Sequence, residues 1–377
     1  LSEFLTPNIS NTNAHQRTKD LDIVKFTVFT PKTKPLLGVD IGSTYIKAVL
    51  LTPGKAQWEC RGVACELIPT SALKERNITD FDSVATTLKK MMLKLKLTHP
   101  VSVIAVSGTA VISKVIHMPK QLVGSHLAEH IEIEADSLIP YPLDLVYWDF
   151  EALTHSTEDR DTADILLTSA PKQIVDNRIT VTREAGLNPK IVNTELGALE
   201  NLARLHTGQS NIDDITIHIG NELMHIVVVR NNHLRYSKEY QFGLNSMLHD
   251  IALMQQCPVH EALKLLHNNI LDSQWQKLVL PIFHAQLEQH ILRACQLMQS
   301  TLNSDSPQHI YLCGGVGMLP NITQSLSCAL NIKVDLLDPA ANMKISDTIS
   351  LEYLTTFKPM LCIAMGLALR CDAHGIH

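Results

Sequence analysis

Asp40, Gly42, Ser43, Thr44 and Lys47 lie close together in the stretch LLGVDIGSTYIKAVLL, from Leu36 to Leu51. Their types suit a phosphorylated ligand. Glycine lets backbone approach a ligand closely, and the amides of a turn at Gly42, Ser43 and Thr44 can point at an anion. Lys47 adds a positive charge, and Asp40 can hold Mg²⁺ through water. Donors, a cation and a metal carboxylate around one turn fit a nucleoside polyphosphate. The apolar runs on either side, Leu36 to Val39 and Tyr45 to Leu51, predict the two strands of a β-hairpin. A plain hairpin with a buried Asp at its end accounts for the same pattern.

Two later stretches carry turns of the same kind. ITIHIGNELMHIVVVR, Ile215 to Arg230, repeats the plan of strand, Ile-Gly turn and strand, with the amides of Gly220 and Asn221 available to an anion. IYLCGGVGMLPN, Ile310 to Asn321, runs a short strand into Gly314, Gly315, Val316 and Gly317, with a helix expected to start near Pro320. Three glycine turns, each after a strand, can converge on one ligand from two lobes. This pattern resembles the actin-like ATPase superfamily, and the resemblance implies an α/β fold of two duplicated, RNase H-like lobes. It identifies the first hairpin with the first phosphate loop, the second with the second phosphate loop, and the Gly-Gly stretch with the adenosine loop. ATP with Mg²⁺ is then the expected ligand. Gly314, Gly315 and Gly317 are expected to let the adenosine approach.

The second phosphate loop departs from the superfamily pattern. His218 stands where Asp is usual, Met224 replaces the usual Thr, and Glu222 brings a negative charge to the turn. Neutral imidazole does not replace a carboxylate on a hard cation. The departure weakens the case for hydrolysis more than the case for binding.

The elements that must position these residues can be traced along the chain. Asp80 or Thr79 caps a predicted helix running to about Lys96, and Val101 to Val106 reads as a buried strand. Thr194 to Leu205 is amphipathic, Leu278 to Leu302 predicts a long helix, and Met360 to Arg370 an apolar closing one. Between Ser107 and Asp149 lie a strand ending in Met118-Pro119, a helix carrying Glu134-Ala135-Asp136, and Ile139 to Leu143. Pro140 and Pro142 exclude helix there. Asp149-Phe150 follows.

That ordered set resembles the PilM branch of the superfamily, the actin-like proteins of type IV pilus assembly, whose relative FtsA also carries a subdomain inserted in the first lobe. Residues 1–34 are polar, rich in Asn and Thr and without sustained periodicity, and read as a flexible tail; the resemblance implies a first lobe at 35–106. An inserted small α/β subdomain follows at 107–185, then the connecting helix at 186–213. The second lobe spans 214–345, and a closing segment, 346–377, returns to the first. It also implies that Glu195 sits near the residue that orients an attacking water, and that Pro140, Tyr141 and Pro142 border a groove for an extended peptide. The expected partner is the short cytoplasmic N-terminal segment of a PilN-like inner-membrane protein, through which the assembly platform is coupled to the pilus motors. The expected location is cytoplasmic, at the inner membrane only through partners. Two other readings remain at this point: an actin-fold sugar kinase, for which no catalytic Asp stands out, and an FtsA-like cytoskeletal protein, which would carry an amphipathic C-terminal membrane helix.

Composition fits these expectations. The chain has 377 residues, enough for more than one domain, and is 45% apolar. A formal net charge of −6 argues against a nucleic-acid surface. The eight cysteines form no CxxC pair, as expected for reduced thiols.

Overall fold

A computed structural model of the chain describes residues 35–54, 57–69, 71–153, 161–207, 211–268 and 270–372. The expected N-terminal tail lies outside the described residues. β1 (Leu36–Ile41), β2 (Tyr45–Thr52) and β3 (Trp58–Leu67) form an antiparallel meander. A small ribbon, β4 (Leu73–Lys74) with β5 (Asn77–Ile78), leads into α1 (Phe81–Leu95) and β6 (Val101–Val106). α1 starts where the Asp80 side chain accepts from the Ser83 amide at 3.0 Å, and stops where Lys96 turns left-handed at φ 54. Val84, Leu88 and Met91, at helical spacing, fill its buried face.

The chain continues through β7 (Ile112–Pro119), α2 (Gly124–Leu138), β8 (Val146–Ala152), β9 (Thr162–Pro171) and α3 (Lys172–Glu184). β10 (Asn188–Thr194) and α4 (Glu195–Thr207) precede a second meander, β11 (Asp214–Ile219), β12 (Leu223–Arg230) and β13 (His233–Gln241). Then come α5 (Asn245–Gln255), α6 (Val259–His267), α7 (Gln274–Leu278) and α8 (Leu280–Leu302). β14 (His309–Cys313), α9 (Ile322–Leu330), β15 (Lys333–Leu336), β16 (Met343–Ile345), α10 (Leu351–Phe357) and α11 (Cys362–Ala368) complete the described chain.

Two large sheets repeat one topology. The first has the order β10-β6-β1-β2-β3-β16 and the second β13-β12-β11-β14-β15. In each, an antiparallel meander is extended by two parallel strands beside its first strand, β6 and β10 in one, β14 and β15 in the other. β16 is the addition, pairing parallel with β3 at Met343↔Trp58.

α11 is buried at every residue, as a helix that is apolar all round must be. It meets backbone on two sides. A Cβ on Gly38 of β1 would lie 2.0 Å from the Ala364 oxygen, and one on Gly366 would lie 1.8 Å from the Ala198 oxygen of α4. Only glycine permits both approaches.

Among the described residues, Thr109–Asn177 form one compact unit, and residues 35–108 with 178–372 form the other. α3 begins in the first and ends in the second, so this insertion is shorter than the expected 107–185. Its three-stranded antiparallel sheet has the order β7-β9-β8. Ile131 and Ala135 of α2 pack on Ile116, Met118, Ile165 and Leu167, which gives the insertion its own core. Pro140, Tyr141 and Pro142 are exposed between α2 and β8.

Candidate functional site

The two Gly-turn hairpins have the same length and register. Asp40 of β1 lies opposite Lys47 of β2, with Ile41 opposite Ile46 at the turn. His218 of β11 lies opposite His225 of β12, with Ile219 opposite Met224 at the turn. His218 is therefore the counterpart of Asp40, and His225 that of Lys47. The turns meet where the Asn221 side-chain amide donates to the Ser43 hydroxyl at 3.2 Å. Beside that contact opens a cleft of about 270 Å³ lined by Ser43, Thr44, Leu73, Asn221, Glu222 and Asn245 among others.

Each predicted ligand-binding residue has a defined place. Gly42 and Gly220 do not offer their amides to a ligand: Gly42 donates to the Tyr45 carbonyl at 3.0 Å and Gly220 to the Leu223 carbonyl at 2.9 Å, closing the hairpins. This corrects the expected role of those two amides. Among the described residues, no hydrogen bond engages the amides of Ser43 and Thr44. The Asn221 side-chain oxygen is buried without a partner.

The glycines after β14 are filled by the protein's own atoms. Gly314 has φ +92, and a Cβ there would sit 2.3 Å from the Ile219 oxygen. At Gly315 a Cβ would meet the Leu244 side chain at 2.8 Å, and at Gly317 the Pro359 side chain at 2.8 Å. These positions let the loop pack on β11, on the start of α5 and on the turn before α11. That packing by itself requires glycine at these positions.

Asp40 and Lys47 pair at 2.5 Å, with Asp40 only 2% exposed. Glu195, the expected water-orienting residue at the start of α4, is buried and paired through one oxygen. Its Oε1 takes the Arg76 guanidinium and, at 2.8 Å, the Ser107 hydroxyl. Its Oε2 lies 3.6 Å from His225 Nε2. His225 also meets Glu239 at 3.1 Å. Burial alone would raise the Glu239 carboxyl, but its hydrogen bond and charge interaction with His225, the Gly108 amide and Arg76 hold it below its usual range.

His218 is buried, and its Nδ1 has no partner. Burial first, then His225, Lys47 and Arg76, hold its pKa well below the usual imidazole value, so the ring is neutral. Behind the first turn, Arg178 is fully buried and donates to the carbonyls of Ile41 at 3.2 Å and Arg76 at 3.0 Å. Burial and Arg76 push its guanidinium down to about 9 against the opposing pull of Asp40.

Four residues of this network, Arg76, Arg178, His225 and Glu239, were not among the sequence candidates. Arg178 left a trace, because it shares the buried stripe of α3 with Thr182. Arg76 left none: it sits at φ 68 in the turn between β4 and β5, where no periodicity operates.

A magnesium ion does not fit these residues. Asp40, expected to hold it through water, has its carboxylate against an ammonium and is shut off from solvent. The counterpart position holds a neutral imidazole, and Glu195 is engaged by Arg76 and Ser107. Mg²⁺ requires oxygen ligands in near-octahedral geometry and keeps several waters.

Two sheets of one topology, each presenting a Gly-turn hairpin to a shared cleft, with α11 closing back on the first, define the two-lobed actin-like ATPase fold. The chain belongs to the PilM family: residues 38–372 match the family described as type IV pilus assembly protein PilM. Among solved structures it is similar to the chain of a PilM-PilN type IV pilus biogenesis complex, with TM-score 0.78 and 22% identity over 89% of this chain and 98% of that one. It is also similar to the ethanolamine utilization protein EutJ from Carboxydothermus hydrogenoformans, with TM-score 0.51 and 15% identity over 91% of each chain. Among the described residues no helix is long and apolar enough to cross a membrane.

Proposed function

We propose that this chain is a nucleotide-holding scaffold of the pilus assembly platform, bound through its inserted unit to the N-terminal segment of a PilN-like inner-membrane protein. The family assignment supports the pathway. The similar PilM chain, matched over 98% of its length, is in complex with PilN. The partner then brings the protein to the inner membrane.

The observation that carries the reading as a scaffold is the state of Glu195. A group that orients water must present a free carboxylate oxygen to the cleft. Here Arg76 and Ser107 take one oxygen, the other stands 3.6 Å from His225 Nε2, and no carboxylate stands at position 218 to assist. The cleft keeps what anion binding needs, two unengaged turn amides beside an ammonium, while its second turn carries an imidazole in place of a carboxylate. Nucleotide in such a site acts as a structural ligand that ties the two hairpins together.

The inserted unit offers Tyr141, 40% exposed, between two prolines that fix the local backbone. An aromatic ring with a hydroxyl, held rigidly at the surface, suits an extended peptide. The test is calorimetry with a synthetic peptide of the cytoplasmic N-terminal segment of a PilN-type protein. Tyr141→Ala is expected to weaken binding by about tenfold or more while leaving the melting temperature unchanged. A lowered melting temperature with unchanged affinity per folded molecule would assign the segment to bracing the insertion instead.

A further inference from the structure

We infer that the cleft binds the phosphate of its nucleotide directly on the Gly42-Ser43-Thr44 turn, with the Lys47 ammonium as counter-charge and no divalent cation. The inference rests on the nucleotide reading above and concerns how that ligand is held.

The geometry beneath the turn supports it. A Cβ added to Gly42 would lie 3.0 Å from Lys47 Nζ, so the ammonium sits directly under the turn. An ammonium carries three N–H donors, and the contact with Asp40 at 2.5 Å engages one carboxylate oxygen. The Lys47 side chain retains 13% exposure, against 3% for that of Asp40. An anion approaching the unengaged amides of Ser43 and Thr44 therefore meets the lysine before the aspartate.

The metal's usual task in a phosphate site is to neutralise charge between ligand and carboxylates. Protein cations already occupy the carboxylates that would hold the metal. Lys47 faces Asp40, Arg76 faces Glu195, and Arg178 stands behind the turn. Glu239 meets His225, and Glu222 stands on the tip of the second turn. Mg²⁺ at a nucleotide takes one or two carboxylates beside phosphate oxygens and waters, and here the two hairpin positions that would supply them hold a lysine-paired Asp40 and a neutral His218.

Titration of the full chain with ADP and with ATP, once in excess magnesium and once in EDTA, tests the inference without any substitution. Affinities that agree within about threefold support it, and a loss of about tenfold or more on chelation overturns it. Manganese added with ADP gives a second readout by electron paramagnetic resonance. The spectrum expected is that of manganese-ADP free in solution, and a protein-bound manganese signal would overturn the inference. If that signal or the magnesium dependence vanished in Glu222→Gln, the cation would belong to that carboxylate. Asp40→Asn gives a test of sign. Releasing Lys47 from its partner is expected to tighten ADP binding in EDTA, whereas a metal anchor at Asp40 would make the same change weaken binding. No binding under either condition would remove the nucleotide reading itself, and the inference with it.

Discussion

The pair between Arg76 and Glu195 is the most consequential contact of the buried network beside the hairpins, and its coupling energy can be measured. Both side chains are largely shut off from water, 11% and 6% exposed. Removing one partner of a buried ion pair ordinarily costs about 3–5 kcal/mol, because the other charge is stranded. Here Ser107 moderates both losses. In Arg76→Met the Ser107 hydroxyl still donates to Glu195 at 2.8 Å. In Glu195→Gln the Ser107 oxygen still accepts from Arg76, at 3.0 Å from Nε and 2.6 Å from Nη2. Each single variant should therefore fall near the low end, about 3 kcal/mol. The double variant strands no charge and should lose about as much as one single variant, so the coupling is about 3 kcal/mol. Urea unfolding of wild type, both singles and the double gives the cycle, and the inserted unit serves as an internal control. A coupling below about 0.5 kcal/mol, the ordinary value for exposed pairs, would refute the view that Glu195 is locked and would return it to candidacy as a group that positions water.

Other expectations follow from single positions. Gly366→Ala would force a methyl to 1.8 Å from the Ala198 oxygen and should cost about 3 kcal/mol or more. Gly220→Ala, where nothing lies nearer than 3.6 Å, should change the melting temperature little. His218 is neutral in the folded chain and binds a proton near pH 6.5 when unfolded. Its contribution is therefore intact above that pH and is lost as pH falls below it, by up to about 1.4 kcal/mol per pH unit. The stability of His218→Asn should decline less steeply than that of wild type between about pH 6.5 and 5.5, and parallel curves would count against the assignment.

The architecture was legible because it rests on periodicity and repeats. The two hairpins announce themselves by Ile-Gly turns between apolar runs, and α1 by Asp80 and the spacing of Val84, Leu88 and Met91. The insertion was read from the order of Met118-Pro119, the helix and the Pro140-Tyr141-Pro142 segment. Contacts made at long range were not legible. Nothing local to Arg76 says that it will reach Glu195, or that Lys47 will turn to Asp40 rather than stand free. The glycines after β14 are ambiguous for a related reason. A missing side chain signals a close approach, but not whether a ligand or the chain's own Ile219 and Pro359 makes it. His218 stands out in the sequence as an imidazole where the resemblance expects a carboxylate, yet its place opposite His225 needs the register of β11 on β12.

β16 pairs with a strand made nearly three hundred residues earlier, and α11 then covers β1. The first lobe begins to be synthesised first and is the last to be finished. Until position 345 has left the ribosome, β3 offers a bare edge, and until position 368 has followed, Gly38 and its neighbours lack their cover. The second lobe suffers no such delay, since all five of its strands are present by Leu336. Pairings so distant in sequence form slowly and leave unpaired edges exposed in the interval. Newly made chain should therefore pass through a species with a folded second lobe and an unfinished first one, the state in which a chaperone would find it and from which aggregation would start.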